Sequence, residues 1–196
     1  RANIRELLKV PRTRDALMRT PVRAKLNRLL APRIGVYGYL GYLVIAPDLS
    51  NIGSSQDTNL GVTNLLAEQG NFLERVFEGE TLISHPLISD VPLLNIYSGR
   101  IVEGEPTMFV VTPVFDDEGG IIAALGFRLD PAIDFTRILQ LGRTGQTGET
   151  YAFNSKGTLL SESRFDRELR MAGLTKNRGL LSIEIRNPGQ TLSEGL

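Results

Sequence analysis

The chain has 196 residues, room for one large domain or two small ones, and 41% of them are hydrophobic, enough for a buried core. The 22 Lys and Arg balance the 22 Asp and Glu, and a net charge of zero argues against a nucleic-acid binder, whose affinity rests on neutralising phosphates. Cysteine is absent, which removes disulfides, thiolate catalysis and cysteine-based metal sites. No apolar run approaches the ~20 residues of a membrane span.

The first stretch, RANIRELLKV, puts Ile4, Leu7 and Leu8 on one helical face, and Pro11 stops or kinks it. Thr20-Pro21 opens a second helix, an N-cap followed by proline at the first helical position. Val22, Leu26, Leu29 and Leu30 form its apolar stripe, Val22, Leu26 and Leu29 are expected to be buried, and Pro32 is expected to close it. This basic arm, in which Glu6 and Asp15 are the acids, is attached to a more acidic body. From Ile34 the aromatic and β-branched run YLGYLVIAP predicts a strand, Pro47-Asp48 a turn, and SNIGSS the return strand. Helices are predicted around Val62–Glu68 and Asn71–Phe77, the second ended by Gly79. Residues 80–105, with three prolines, read as mostly loop with one or two short strands.

The clearest element is a hairpin of PTMFVVTPVF and IIAALGFRLD joined by DDEGG. Both strands are apolar on both faces, which predicts a central pair in a sheet covered on each side. DFTRILQLG then predicts an exit helix with Phe135, Ile138, Leu139 and Leu141 apolar. ETYAFNSKGTLLSES reads as strand, turn and strand, with Gly157 free to take positive φ in the turn. Residues 42–55 and 150–163 share a pattern: a strand opening at or near Tyr, a tight turn, and a strand ending in small polar residues. Such an internal repeat suggests two similar α+β modules in tandem, although any two antiparallel hairpins share this much. The expected domains are an arm over residues 1–33, a first module over 34–141, and a second module over 142–196, which is too short to be complete.

The motifs that would carry chemistry fail on spacing. In GRTGQTGET, setting Gly148 as the second glycine of a phosphate loop puts Arg143 where the first belongs and Glu149 where the lysine belongs. A carboxylate there repels phosphate, so the stretch reads as a flexible junction. His85, the one histidine, excludes two-histidine metal sites, and no G-x-S-x-G elbow accompanies it. It reads as a loop or surface residue. Asp116-Asp117-Glu118 lacks the alternating oxygen ligands of a calcium loop and reads as a hairpin turn. No catalytic residue, metal site or cofactor is predicted.

Taken in order, arm, hairpin, helices, loop, central hairpin, exit helix and second hairpin, the chain resembles the double Cache family of extracytoplasmic sensors. TPVFDDEGGIIAALGFRLDP matches that family's central hairpin. GRTGQTGETYAFNSKGTLLSES is similar to the opening of its membrane-proximal module. The resemblance implies an α+β fold, a helical arm packed on a PAS-like antiparallel sheet module and followed by an incomplete second PAS-like module. It also implies an extracytoplasmic location, membrane attachment through segments outside this sequence, a small-molecule ligand, a homodimer through the N-terminal helix, and a cytoplasmic output domain. The sequence departs from the family at its amino-acid site: there is no tryptophan for the Arg-x-Trp-Tyr signature, where GNFLERVF offers Phe72-Leu73. Arg128 stands where the amine-binding Asp is expected.

Arg128 is therefore the leading binding candidate. Period two puts Ile122, Ala124, Gly126, Arg128 and Asp130 on one face, and the small residues at 124 and 126 predict a hollow beside a guanidinium. The alternative is that Arg128 pairs with an acid of a neighbouring element. With Arg75, Tyr97 and Thr112 as supporting donors, the expected ligand is an organic acid or another anion. The competing function classes are an ectodomain that docks protein and binds no small ligand, and, with less support, a hydrolase.

Overall fold

The computed structural model describes residues 1–95, 98–176 and 178–185. Contacts divide the chain at Asp130, giving one unit of Arg1–Asp130 and a second of Pro131–Leu196. Residues 1–33 and the sheet thus share a unit, and the exit helix groups with the second unit.

The arm contains three helices: α1 (Ala2–Leu8), α2 (Arg14–Arg19) and α3 (Pro21–Tyr37). The chain breaks around Pro11, and Arg12 ties the break. Its guanidinium donates to the carbonyls of Leu8 at 3.2 Å and Val10 at 2.9 Å, and to Asp48 at 3.0 Å, covering acceptors that the end of α1 leaves open. The Thr13 and Thr20 hydroxyls cap α2 and α3. Ile4, Leu7, Leu17, Val22, Leu26 and Leu30 bury their side chains against one face of the sheet.

Two expectations for the arm are corrected. Pro32 does not close α3, which runs five residues past it to Tyr37 and stops at Gly38, whose φ of 71° suits the left-handed cap. Pro32 and Arg28, the residue whose carbonyl loses its helical donor, both lie on the exposed side, and Ile34 beyond them still packs on the core. The strand predicted from Ile34 therefore starts only at Gly41. Leu29 is 52% exposed and Leu30 takes its place, because Val22, Leu26 and Leu30 follow i+4 steps down one face.

The sheet comprises β1 (Gly41–Ile45), β2 (Asn51–Ser54), β3 (Leu82–Ile83), β4 (Leu87–Ile88), β7 (Pro106–Phe115) and β8 (Ile121–Leu129). Its order is β2-β1-β8-β7-β3, with β4 also on β7, and every pairing is antiparallel. The predicted central hairpin is thus the central pair. Pro113 is tolerated because the pairing of β3 reaches only to Val111, so its missing N–H falls where no outer strand needs it. Asp116 closes the turn by accepting from the N–H groups of Glu118 at 3.0 Å and Gly120 at 2.8 Å. Those bonds, with Arg5 beside it, hold its carboxyl below the usual range.

Tyr42, Val44, Ile52 and Ala123 face the arm. Leu43, Ile45, Phe109, Val111 and Ala124 face the other way, onto a 3-10 turn at Leu65–Glu68 and α4 (Phe72–Phe77). Where one or two strands were predicted over residues 80–105, four short ones form: β3, β4, β5 (Leu93–Asn95) and β6 (Arg100–Val102), the last two a separate ribbon.

The second unit opens with a π-helical turn (Ala132–Thr136) running into α5 (Arg137–Gln140), and later forms α6 (Asp166–Met171). Of the apolar residues of the predicted exit helix, Ile138 and Leu141 are exposed, whereas Thr136 is buried. The Asn154–Gly157 turn forms, with Gly157 at φ 80°, but its flanks make the isolated bridge Phe153↔Leu159, not strands. The GRTGQTGET stretch is tied and not loose. Buried Glu149 accepts from Arg143 at 2.8 Å, the Ser163 hydroxyl at 2.9 Å and the Arg164 N–H at 2.5 Å.

Candidate ligand site

Arg128 is buried at the end of β8, opposite Gly41 on one side and Phe109 on the other. Its guanidinium carbon stands 4.6 Å from the Phe109 ring centroid, a cation–π arrangement that fixes the plane of the group. Nη1 donates to Ser89 Oγ at 2.8 Å and Nη2 to Asp90 Oδ1 at 2.6 Å. The Ser89 hydroxyl also donates to the Val91 carbonyl at 2.6 Å and accepts from the Val91 N–H at 3.1 Å, so its one donor and two acceptor positions are all used. Asp90 Oδ2 accepts from Asn59 Nδ2 at 3.1 Å, while Asn59 Oδ1, buried, has no hydrogen-bond partner among the described residues. Burial pulls the guanidinium pKa below its ordinary value, with the charge and hydrogen bond of Asp90 opposing the shift.

The supporting donors predicted from sequence do not converge here. Thr112 pairs with Leu125, three residues from the Phe109 position, so it lies on the opposite face of the sheet from Arg128 and shares its hydroxyl with Thr81 at 2.8 Å. Arg75 is solvent-exposed and gripped by Glu80 through bonds of 2.9 and 2.5 Å. Tyr97 lies outside the described residues. His85 is exposed, its Nδ1 3.0 Å from the Pro86 carbonyl. The hollow expected at Ala124 and Gly126 is filled. Ala124 sits in the core, and a Cβ on Gly126 would meet Val111 at 3.4 Å. Ile122 packs with the arm-side cluster instead of sharing the face of Arg128, next to the register shift at Val114/Phe115.

A cleft opens elsewhere in the first unit. Of about 380 Å³, it has Leu40 on one wall, Gln56 and Thr58 on a second, Pro92–Leu94 on a third, and Ile101, paired with Leu94 across the ribbon, beside it. Three of these segments meet at Arg128. The Leu40 N–H donates to the Arg128 carbonyl at 2.8 Å. Asn59, next to Thr58, reaches it through Asp90. Asp90, two residues before Pro92, holds the guanidinium. The Gln56 and Thr58 side chains make no hydrogen bond within the described residues, which leaves two neutral donor–acceptor groups on the cleft. Ser89, Asp90, Asn59, Gln56 and Thr58 were missed from sequence. An acid two residues before a proline in the apolar run LISDVP was the available hint.

This architecture, a helical arm on one face of a central antiparallel sheet and a short helix on the other, is the α+β Cache-type fold that the sequence resembles. Two solved structures share it. The ligand-binding domain of the Campylobacter jejuni chemoreceptor Tlp3 in complex with 4-methylisoleucine matches with a TM-score of 0.51 at 12% identity, over 98% of this chain and 63% of that one. The same domain in complex with L-norvaline matches with a TM-score of 0.50 at 11% identity, over 86% of this chain and 60% of that one. At such identities the likeness is one of fold, and the chain spans less than two thirds of those domains. No protein-family model and no curated protein matches the sequence. Among the described residues, no helix is long and apolar enough to cross a membrane, and no cluster of His, Asp or Glu could hold a metal ion.

Proposed function

We propose that the chain is the small-molecule-sensing ectodomain of a membrane-anchored receptor. In this reading, ligand binding in the first unit is passed to an output domain across the membrane. One observation carries it: the walls of the cleft converge on a single buried residue of the central strand. A ligand that draws those walls together acts on Arg128, two residues before Asp130, where the first unit ends. The fold shared with a chemoreceptor's ligand-binding domain supports the same reading. It includes two tandem modules, over residues 34–141 and 142–196, an extracytoplasmic location, a homodimer through the N-terminal helix, and no catalytic activity in this part of the protein.

Thermal-shift screening of a small-molecule library tests it, with Thr58→Trp as the cleft-blocking variant. Thr58 is exposed, so the added indole fills the cleft without entering the core. Hits that stabilise the wild type and lose their effect on the variant are expected. Hits that stabilise both alike, or none at all, would overturn the reading in favour of a protein-docking ectodomain.

A second reading keeps the organic acid held by Arg128. Asp90, a carboxylate seated 2.6 Å from the guanidinium, already holds that position. A ligand carboxylate in that position would have to displace it.

A further inference from the structure

We infer that the cleft takes an uncharged ligand: a largely apolar small molecule whose head group both donates and accepts hydrogen bonds, such as an amide or alcohol. This rests on the cleft being the sensory site. Among the described residues its lining carries no ionisable side chain; Leu40, Pro92, Leu93, Leu94 and Ile101 supply apolar surface. Two of the charges behind its walls are already paired: Arg128 with Asp90 at 2.6 Å, where Asp90 has the Asn59 amide as a second donor, and Asp57 with Arg23. An ion entering the cleft gives up hydration and meets no counter-charge on the described lining. A carboxylate that took Arg128 would leave Asp90 beside it without a partner cation, and an ammonium that took Asp90 would strand a guanidinium with 3% exposure. Each exchange replaces one satisfied pair with another and leaves a charge over. What the cleft does offer is the Gln56 amide and the Thr58 hydroxyl, each able to donate and accept, and neither engaged within the described residues. A neutral amide or hydroxyl reciprocates both without disturbing the ion pair. The volume of about 380 Å³ suits such a molecule. Arg128 is then a positioning residue: it holds the walls and does not touch the ligand.

Three probes with one apolar body test the inference: 4-phenylbutanamide, 4-phenylbutanoate and 4-phenylbutylamine, titrated by NMR into wild type, Gln56→Ala/Thr58→Val and Asp90→Asn. The expected result is that the amide shifts the signals of Thr58, Leu93 and Ile101 and binds about tenfold more tightly than either ion, the margin of one well-made hydrogen bond. The Gln56→Ala/Thr58→Val variant should lose about that factor for the amide while its melting temperature holds. The carboxylate binding best, and more tightly still to Asp90→Asn, where Arg128 is released, would overturn the neutral ligand and leave the sensory reading standing. The amine binding best, and losing its affinity in Asp90→Asn, would do the same. Shifts from none of the three at the cleft would overturn both.

Discussion

Replacing either member of the Arg128–Asp90 pair removes the same contact, yet the two variants should differ in stability, because exposure decides what is left behind. The guanidinium is 3% exposed and the carboxylate 22%. In Asp90→Asn the buried cation remains, with the Ser89 hydroxyl and the Phe109 ring as its remaining partners. Uncompensated buried charges cost about 3–5 kcal/mol, and the cation–π contact returns about 1, which puts the variant near 3 kcal/mol. In Arg128→Met the apolar stem over Phe109 is kept, and Asp90 retains Asn59 and turns its free oxygen to water, for a loss of about 1–2 kcal/mol. The double variant leaves no charge behind. It should lie within about 1 kcal/mol of Arg128→Met, giving a coupling energy of about 3 kcal/mol. Urea unfolding followed by circular dichroism measures all three, with unchanged m-values as the check that only stability moved. Losses below about 1 kcal/mol in both single variants, as for a surface pair, or a larger loss for Arg128→Met than for Asp90→Asn, would refute the reasoning.

Gly61 rests its backbone against the arm: at φ 78° a Cβ would stand 2.4 Å from the Arg12 carbonyl oxygen. Gly61→Ala should cost about 3 kcal/mol, against about 1 for Gly70→Ala, where φ is 60° and the space is open; equal losses in thermal unfolding would contradict the contact. Burial pushes the Tyr42 hydroxyl up from 10.0 to about 12, with the Arg23 charge opposing. Because the folded value is the higher, the stabilisation is complete below pH 10 and is lost as pH rises from 10 through 12, about 1 kcal/mol of it by pH 11. The stability gap between wild type and Tyr42→Phe should narrow by that amount from pH 9 to pH 11, and a constant gap would show the hydroxyl titrating normally. Leu30→Ala should cost about 2–4 kcal/mol and Leu29→Ala less than about 0.5, since the first is 6% exposed and the second 52%; the reverse order in chemical denaturation would put the arm in a different rotation.

Elements whose signal is local were legible in the sequence. The β7–β8 hairpin announced itself by two strands apolar on both faces around an Asp-Gly-rich turn, and Thr20-Pro21 fixed the start of α3. Its end was misjudged because Pro32 costs a helix interior less where water reaches the carbonyl it frees, and a single sequence does not show that exposure. Arg128 was picked out by its place on an otherwise apolar strand, and pairing with an acid was the stated alternative. Its partner was not legible: Asp90 lies 38 residues upstream in a stretch read as loop, and its approach depends on β4 joining the outer edge of β7. Thr112 was named as a supporting donor without its face being legible, because the face of a residue on β7 relative to Arg128 depends on the register with β8, which shifts at Val114/Phe115. The cleft is built from segments that meet only through backbone and side-chain bonds to Arg128, and no periodicity records that meeting.

The most direct test of the sensory site is NMR shift mapping of the wild type with a library of uncharged, amine-bearing and carboxylate-bearing small molecules. The account predicts binders whose perturbed signals gather at Leu40, Thr58, Leu93 and Ile101, with Arg128 and its Phe109 neighbour moving second. Perturbations confined to other surfaces, or a cleft that no molecule in the library disturbs, would contradict it.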